Sequence, residues 1–249
     1  MSVWLRERGL SPTRLVLSAC LSLFGLFSAI FVRLTTNAPL NYVYCIATAL
    51  FVFLPPVLSL LCRFDMSFGF YLLMSLYAVG PLLGGVYRLY YLTSWWDVLL
   101  HALSGLIFAV IGAELATTLN RGRAPTLLVS LLFGVFFSAT VALGWEFYEF
   151  FVDATLGTDM QTDTVVTEII TKLGQVNGSL TEFKDITEVT VNGAPLGLGG
   201  YLDIGLVDTV TDMLIGVLGT VPFILYTAVT QGRHPLIRSL PRVGADDRE

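Results

Sequence analysis

A chain of 249 residues that is 55% hydrophobic and only 13% charged, with a mean hydropathy of +0.74, lies outside the range of soluble domains, which run about 25% charged. The formal net charge of −5 argues against a nucleic-acid partner, because the basic residues stand in short clusters beside apolar segments, where anionic lipid headgroups account for them. The composition implies an all-α polytopic membrane protein, a six-transmembrane-helix bundle in a lipid bilayer, with a small outer α+β cap between helices 5 and 6.

Six segments are apolar over the roughly 17–25 residues that cross a bilayer: Leu15–Val32, Tyr42–Cys62, Met66–Tyr87, Trp96–Thr118, Ala124–Phe151 and Leu206–Thr230. They are too long and too uniformly apolar for barrel strands. The first exceeds the apolar core of a secretory signal and reads as an uncleaved span. The expected division is 1–152 for five helices, 153–204 for an extracytoplasmic insertion, 205–230 for the sixth helix and 231–249 for a cytoplasmic tail. With six spans the termini share a side. That side holds Arg6, Arg8, Arg14, Arg63, Arg121, Arg123, Arg233, Arg238, Arg242 and Arg248, leaving Arg33, Arg88, Lys172 and Lys184 for the other. The positive-inside rule then predicts cytoplasmic termini in a plasma (inner) membrane. Cys20, Cys45 and Cys62 fall inside spans without CxxC spacing and read as packing residues.

The first two spans carry no charge and read as lipid-facing scaffold, the second kinked at Pro55-Pro56. Gly80-Pro81 and Gly84-Gly85 are expected to break or bend the third, which ends in Tyr87-Arg88-Leu89-Tyr90-Tyr91, an interfacial aromatic belt. Arg88 is either a snorkelling anchor or a counter-charge to acids elsewhere in the membrane. In the fourth span Asp97, His101, Gly105, Ala109 and Ala113 follow at i+4, a stripe that is polar at one end and small below. Glu114, farther along, reads as a solvated cap to Arg121. In the fifth, Glu146, Glu149 and Asp153 continue the small stripe Gly134, Ser138 and Ala142. Within the insertion, Val165, Val166, Ile169, Ile170 and Leu173 recur as on one face of a short helix. Thr187, Val189 and Val191 alternate ahead of Asn192-Gly193, a hairpin signal. Asn177-Gly178-Ser179 fits a glycosylation sequon, a weak signal because such tripeptides are frequent by chance. The sixth span opens with Asp208 and Asp212, followed in line by Gly216 and Thr220.

Three helices thus place Asp97 and His101, Glu146 and Glu149, and Asp208 and Asp212 at the same end, a band roughly 10 Å deep. Carboxylates this dense inside a membrane must be neutralised by protons or metal. Three readings stay open. One is a divalent metal centre with His101, Glu146, Asp208 and Asp212 as ligands and Glu149 and Asp97 as base or outer support; hard carboxylates with one imidazole suit Zn, Mn, Mg or Fe alike. Its activity would be that of a metal-dependent hydrolase at the outer leaflet, with a lipid or a cation as ligand. Another is a cation or proton transporter or channel. The third is a structural or regulatory membrane protein held together by partly protonated acids.

At these residues the chain resembles the YjdF-like family of integral membrane proteins. The matching pieces are Trp96-Asp97-x3-His101-x3-Gly105, Trp145-Glu146-x2-Glu149, Thr158-Asp159-Met160-Gln161 and Gly205-Leu206-Val207-Asp208-Thr209-x2-Asp212-x6-Gly219. The resemblance covers about Trp95 to Thr220 and implies a six-helix-type bundle without implying an activity. Members of that family run almost directly from the equivalent of Gln161 to the Gly-Leu-x-Asp-Thr stretch, so Thr162 to Tyr201 is an addition in this chain. Gly216 stands where a polar Asn or Asp is frequent in that family.

Overall fold

The computed structural model describes residues 9–36, 39–120, 123, 125–174, 179–233 and 235–240. The sequon asparagine Asn177, the cap partner Arg121, and Arg6, Arg8, Arg242 and Arg248 of the basic clusters lie outside the described residues. Among the described residues, six helical stretches are long and apolar enough to cross a membrane: Pro12–Thr35, Leu40–Cys62, Phe68–Gly85, Trp96–Leu119, Leu127–Leu156 and Leu206–Thr230. The protein is an all-α polytopic membrane protein, and its strands are short.

The helices of these spans are α1 (Pro12–Thr35), α2 (Pro39–Phe51), α3 (Leu54–Cys62), α4 (Phe68–Gly85), α6 (Trp96–Leu119), α7 (Leu127–Leu156), α8 (Leu206–Leu218) and α9 (Val221–Thr230), with the single turn α5 (Leu89–Leu92) joining the third span to the fourth. Two spans are interrupted. The second breaks between α2 and α3 just ahead of Pro55 and Pro56, whose missing N–H groups cannot continue the ladder. The sixth breaks at Gly219 and Thr220, ahead of Pro222 at the start of α9. This second break was legible in Pro222 and was not expected. The third span, by contrast, runs through Pro81 without a break and stops at Gly85.

The chain divides into two compact units, 1–142 with 215–249, and 143–214. In the larger unit, α1 and α2 meet along small and hydroxylated residues. Ser18 donates to the Val52 carbonyl (2.7 Å) and shares a hydrogen bond with the Tyr71 hydroxyl (2.8 Å), while Ser22 donates to the Ala49 carbonyl (2.9 Å). These two spans are therefore more than lipid-facing scaffold. In hydrocarbon, association relies on close backbone approach and hydroxyl hydrogen bonds, and uncharged serines supply both. Cys45 is buried as expected of a packing residue, whereas Cys20 is exposed.

One end of this unit is closed by a small sheet. Strand β1 (Phe64–Met66) pairs antiparallel with β8 (Ile237–Ser239), and Phe64, Met66 and Ile237 are buried. The Arg14 guanidinium donates to the carbonyls of Gly9 and Met66 and to Asp65 Oδ1 (3.3 Å), and lies 5.7 Å from the Tyr71 ring centre. Chain entering the first span, chain joining the second to the third, and chain leaving the last are thus knitted together, which fits an even number of crossings.

The smaller unit holds the insertion. Where a short helix was expected, β2 (Val165–Val166) pairs with β7 (Tyr201–Leu202), and β3 (Ile169–Thr171) pairs with β4 (Thr181–Phe183). Pairs of β-branched residues among threonines suit a pleated surface better than a helix, whose preceding turn restricts their χ1 rotamers. The hairpin is present: β5 (Thr190–Val191) pairs with β6 (Ala194–Pro195), with Asn192 and Gly193 at φ 52° and 83° as a type I′ turn demands.

Candidate functional site

In the larger unit, α6 starts where Trp95 and Trp96 stack edge to face and the Trp96 indole donates to the Gly80 carbonyl of α4 (3.2 Å). This fixes the first turn of α6. One turn apart on it, Asp97 Oδ2 lies 3.7 Å from His101 Nε2. His101 is only 8% exposed, whereas Asp97 is partly open. The pair offers an imidazole nitrogen and a carboxylate oxygen at adjoining positions, a combination suited to holding a divalent cation or to sharing a proton.

Below His101 the small residues of three helices fit against one another. A Cβ on Gly105 would stand 2.0 Å from the Gly216 carbonyl oxygen, and one on Gly219 would stand 2.2 Å from the Ala102 carbonyl oxygen. The Ser138 hydroxyl donates to the Gly105 carbonyl (3.0 Å). A Cβ on Gly134 would meet the Ala109 carbonyl at 2.6 Å, and one on Gly216 would stand 3.4 Å from the Ala142 methyl and 4.0 Å from the His101 carbonyl. The stripes expected from the sequence are in register, and only glycine allows the backbone approach at 105 and 219.

In the smaller unit, Glu146 and Glu149 of α7 and Asp212 of α8 are buried at 3%, 7% and 3% exposure. Glu149 Oε1 accepts a hydrogen bond from the Trp145 indole (2.8 Å), and Trp145 packs on Tyr148. The remaining acids secure loops. Asp153 accepts from the Thr158 hydroxyl (2.6 Å) and from the amides of Met160 and Gln161. Asp208 Oδ2 accepts from the Thr162 amide (2.9 Å), beside Gln161 donating to the Thr209 hydroxyl (2.5 Å). Asp203 accepts from the amide of Thr164 in the insertion and from those of Gly205 and Val207, donors that the start of α8 leaves open. Burial works against ionisation of Asp203, but these amides outweigh it and hold its carboxyl below the usual range. Asp159, though exposed, is pushed the other way, first by partial shielding from solvent and then by the charges of Asp163 and Asp153.

Two expectations change. Glu114 is buried rather than a solvated cap, because it continues the buried face of Val110 and Ile111 by one turn. Of the two readings of Arg88, the anchor is the one with a contact: the exposed guanidinium lies 5.7 Å from the Tyr91 ring centre. The sequence reading missed the loop-securing role of Asp153, Asp203 and the Thr162 amide. Asp203 two residues ahead of Gly205 and the helical stretch Leu206-Val207-Asp208 was a capping signal that could have been read.

No curated protein and no solved structure matches the chain. The stretches that carry the buried acids and the glycine contacts all lie within 15–233, where the chain matches the profile of the family described as predicted membrane protein (DUF2238). The protein therefore belongs to that family, the one to which the YjdF-like resemblance pointed.

Proposed function

We propose that the protein binds a divalent cation through Asp97 and His101 of α6 and Asp212 of α8, each giving one ligand atom, with Glu146 of α7 completing the set. The observation that carries this is the register of the small residues: Ala142, Gly216 and the His101 backbone meet at one level of the larger unit. Helices α7 and α8 run unbroken through these positions. One turn on from that level along each helix, Glu146 follows Ala142 and Asp212 precedes Gly216. A cation is what balances carboxylates brought that close. In this reading Asp97 stands with the ligands because it adjoins His101, and Asp208 supports them by holding the Thr162 amide.

The activity that suits such a centre is metal-dependent hydrolysis of a lipid ester or phosphoester at the outer leaflet, with the termini cytoplasmic and 153–204 outside. A bound cation lowers the pKa of water toward about 7 and polarises the scissile oxygen. Glu149, fixed by the Trp145 indole, is the base. The test is release of fatty acid or phosphate from phospholipid micelles with Zn, Mn, Mg or Fe supplied in turn. Turnover that chelator abolishes, and that Glu149→Gln abolishes with metal content intact, is expected. No turnover from metal-loaded protein would remove the hydrolase.

One observation favours a second reading, a proton or cation path. Glu114 is buried on the same helix as His101, 13 residues and so about 20 Å away at 1.5 Å per residue. Flux across proteoliposomes that Glu114→Gln stops would select that reading, and absence of flux in the wild type would dismiss it.

A further inference from the structure

A groove runs along the larger unit immediately below His101. Its walls are Leu103, Leu106, Ile215, Leu218 and Pro222, its floor is Ala102 and Gly219, and its volume is about 320 Å³. The floor is set by backbone contact, since Gly219 has no side chain and any Cβ there would strike the Ala102 carbonyl at 2.2 Å. The break of the sixth span at Gly219 and Thr220 lies beside it. Every lining side chain is apolar, so the groove offers a guest carbon surface and little to hydrogen-bond. Its rim, Leu218 and Pro222, is exposed and continues into Val217, Val221 and Leu225, which face outward on a membrane-spanning helix. The groove is therefore continuous with the surface that the bilayer covers, and its occupant must come from hydrocarbon.

We infer that the groove is an acyl-chain subsite for a glycerophospholipid, whose ester and phosphate end lies at the level of Asp97 and His101. This rests on the cation reading above, and names the ligand class of that site. The direction follows from depth along α6: Ala102 is five residues, about 7.5 Å at 1.5 Å per residue, inward of Asp97, so the polar level of that helix lies toward one end of the groove, and the apolar walls Leu103, Leu106 and Pro222 lie beyond it. A chain lying in it leaves its polar end nowhere else to go without burying ester oxygens against leucine.

The test uses the full chain in vesicles of phosphatidylethanolamine and phosphatidylglycerol that carry a phospholipid with a photoactivatable diazirine on one acyl chain. Labelled residues are mapped by mass spectrometry, and metal content is measured on the same samples. The expected result is several-fold more labelling at Leu103, Leu106 and Leu218 than at Leu128 and Phe136, which are exposed membrane-facing controls. Leu103→Trp, and independently the rim variant Leu218→Trp, should bring groove labelling down to the control level and leave metal content at the wild-type value. Labelling at the control level in the wild type, or unchanged in both Trp variants, would overturn the subsite. Protection from the probe confined to dimeric fractions would assign the groove to a second copy of the chain and also overturn it. Enriched labelling in a wild type that carries no metal would keep the acyl subsite and sink the cation reading.

Discussion

A Cβ placed on Gly105 would stand 2.0 Å from the carbonyl oxygen of Gly216, so α6 and α8 meet backbone to backbone one turn below His101. Contact this close cannot be relieved by turning a side chain. Gly105→Ala should destabilise the protein by about 1–3 kcal/mol, the range for forcing extra carbon into a packed interior. Gly216→Ala, whose nearest neighbour would be the Ala142 methyl at 3.4 Å, should cost clearly less. Thermal unfolding in detergent checks the order, and equal losses would refute it.

Arg14 holds two carbonyls and a carboxylate where three chain segments meet. Arg14→Ala leaves the Gly9 and Met66 carbonyls without that donor, at about 1–3 kcal/mol for each buried group left unsatisfied. Lysine presents a point charge in place of a planar fork, so Arg14→Lys should recover only part of the loss. Faster hydrogen exchange is expected at the Ser67 and Leu240 amides, which bond to the Leu236 and Arg63 carbonyls. Unchanged exchange there would show that the β1–β8 sheet stands without Arg14.

Two acids of the insertion should give opposite pH signatures. The folded-state pKa of Asp203 is lowered, so its contribution is present above the ordinary carboxylate pKa of about 3.9 and is lost as pH falls through the lower folded value. Asp203→Asn should therefore lower stability at neutral pH and flatten the acid limb. Asp159 is raised by partial shielding from solvent and by its acidic neighbours, so its contribution is present below the ordinary value and lost as pH rises through the folded value. Asp159→Asn should raise stability at neutral pH. Unfolding midpoints from pH 3 to pH 7 read both, and parallel curves for the two variants would contradict the assignment.

Orientation is read by a cysteine at Glu188, an exposed position of the insertion, in a background free of Cys20, Cys45 and Cys62. An impermeant maleimide should label it from outside in intact cells. Labelling only after permeabilisation would reverse the proposed sidedness.

The spans were legible because a crossing helix must be long and apolar, and Pro55-Pro56 announced the break in the second. The registered stripes were legible for a related reason, since Gly105, Ala109, Gly134, Ser138 and Ala142 recur at intervals of four and small residues at that period have little use except close approach. Val165, Val166, Ile169 and Ile170 were misread because their spacing fits a helix face as well as short strands, and β-branching decides only when weighed against period. Glu114 was misplaced because an acid near a helix end suggests solvent, whereas the face it continues is buried. The joining of β1 to β8 was out of reach, since nothing near Asp65 names a partner at Arg238.

The proposed cation ligands Asp97, His101 and Asp212 are read by elemental analysis of the purified full chain after equilibration with Zn, Mn, Mg and Fe in turn, followed by dialysis. The wild type should retain one equivalent of one of these metals per chain. His101→Ala and Asp212→Asn should lose it, and chelator should lower the unfolding temperature of the wild type alone, since a metal at a hundred times its dissociation constant adds about 2.7 kcal/mol to the folded state. A wild type that keeps none of the four metals, or variants that keep as much as the wild type, would contradict the cation site.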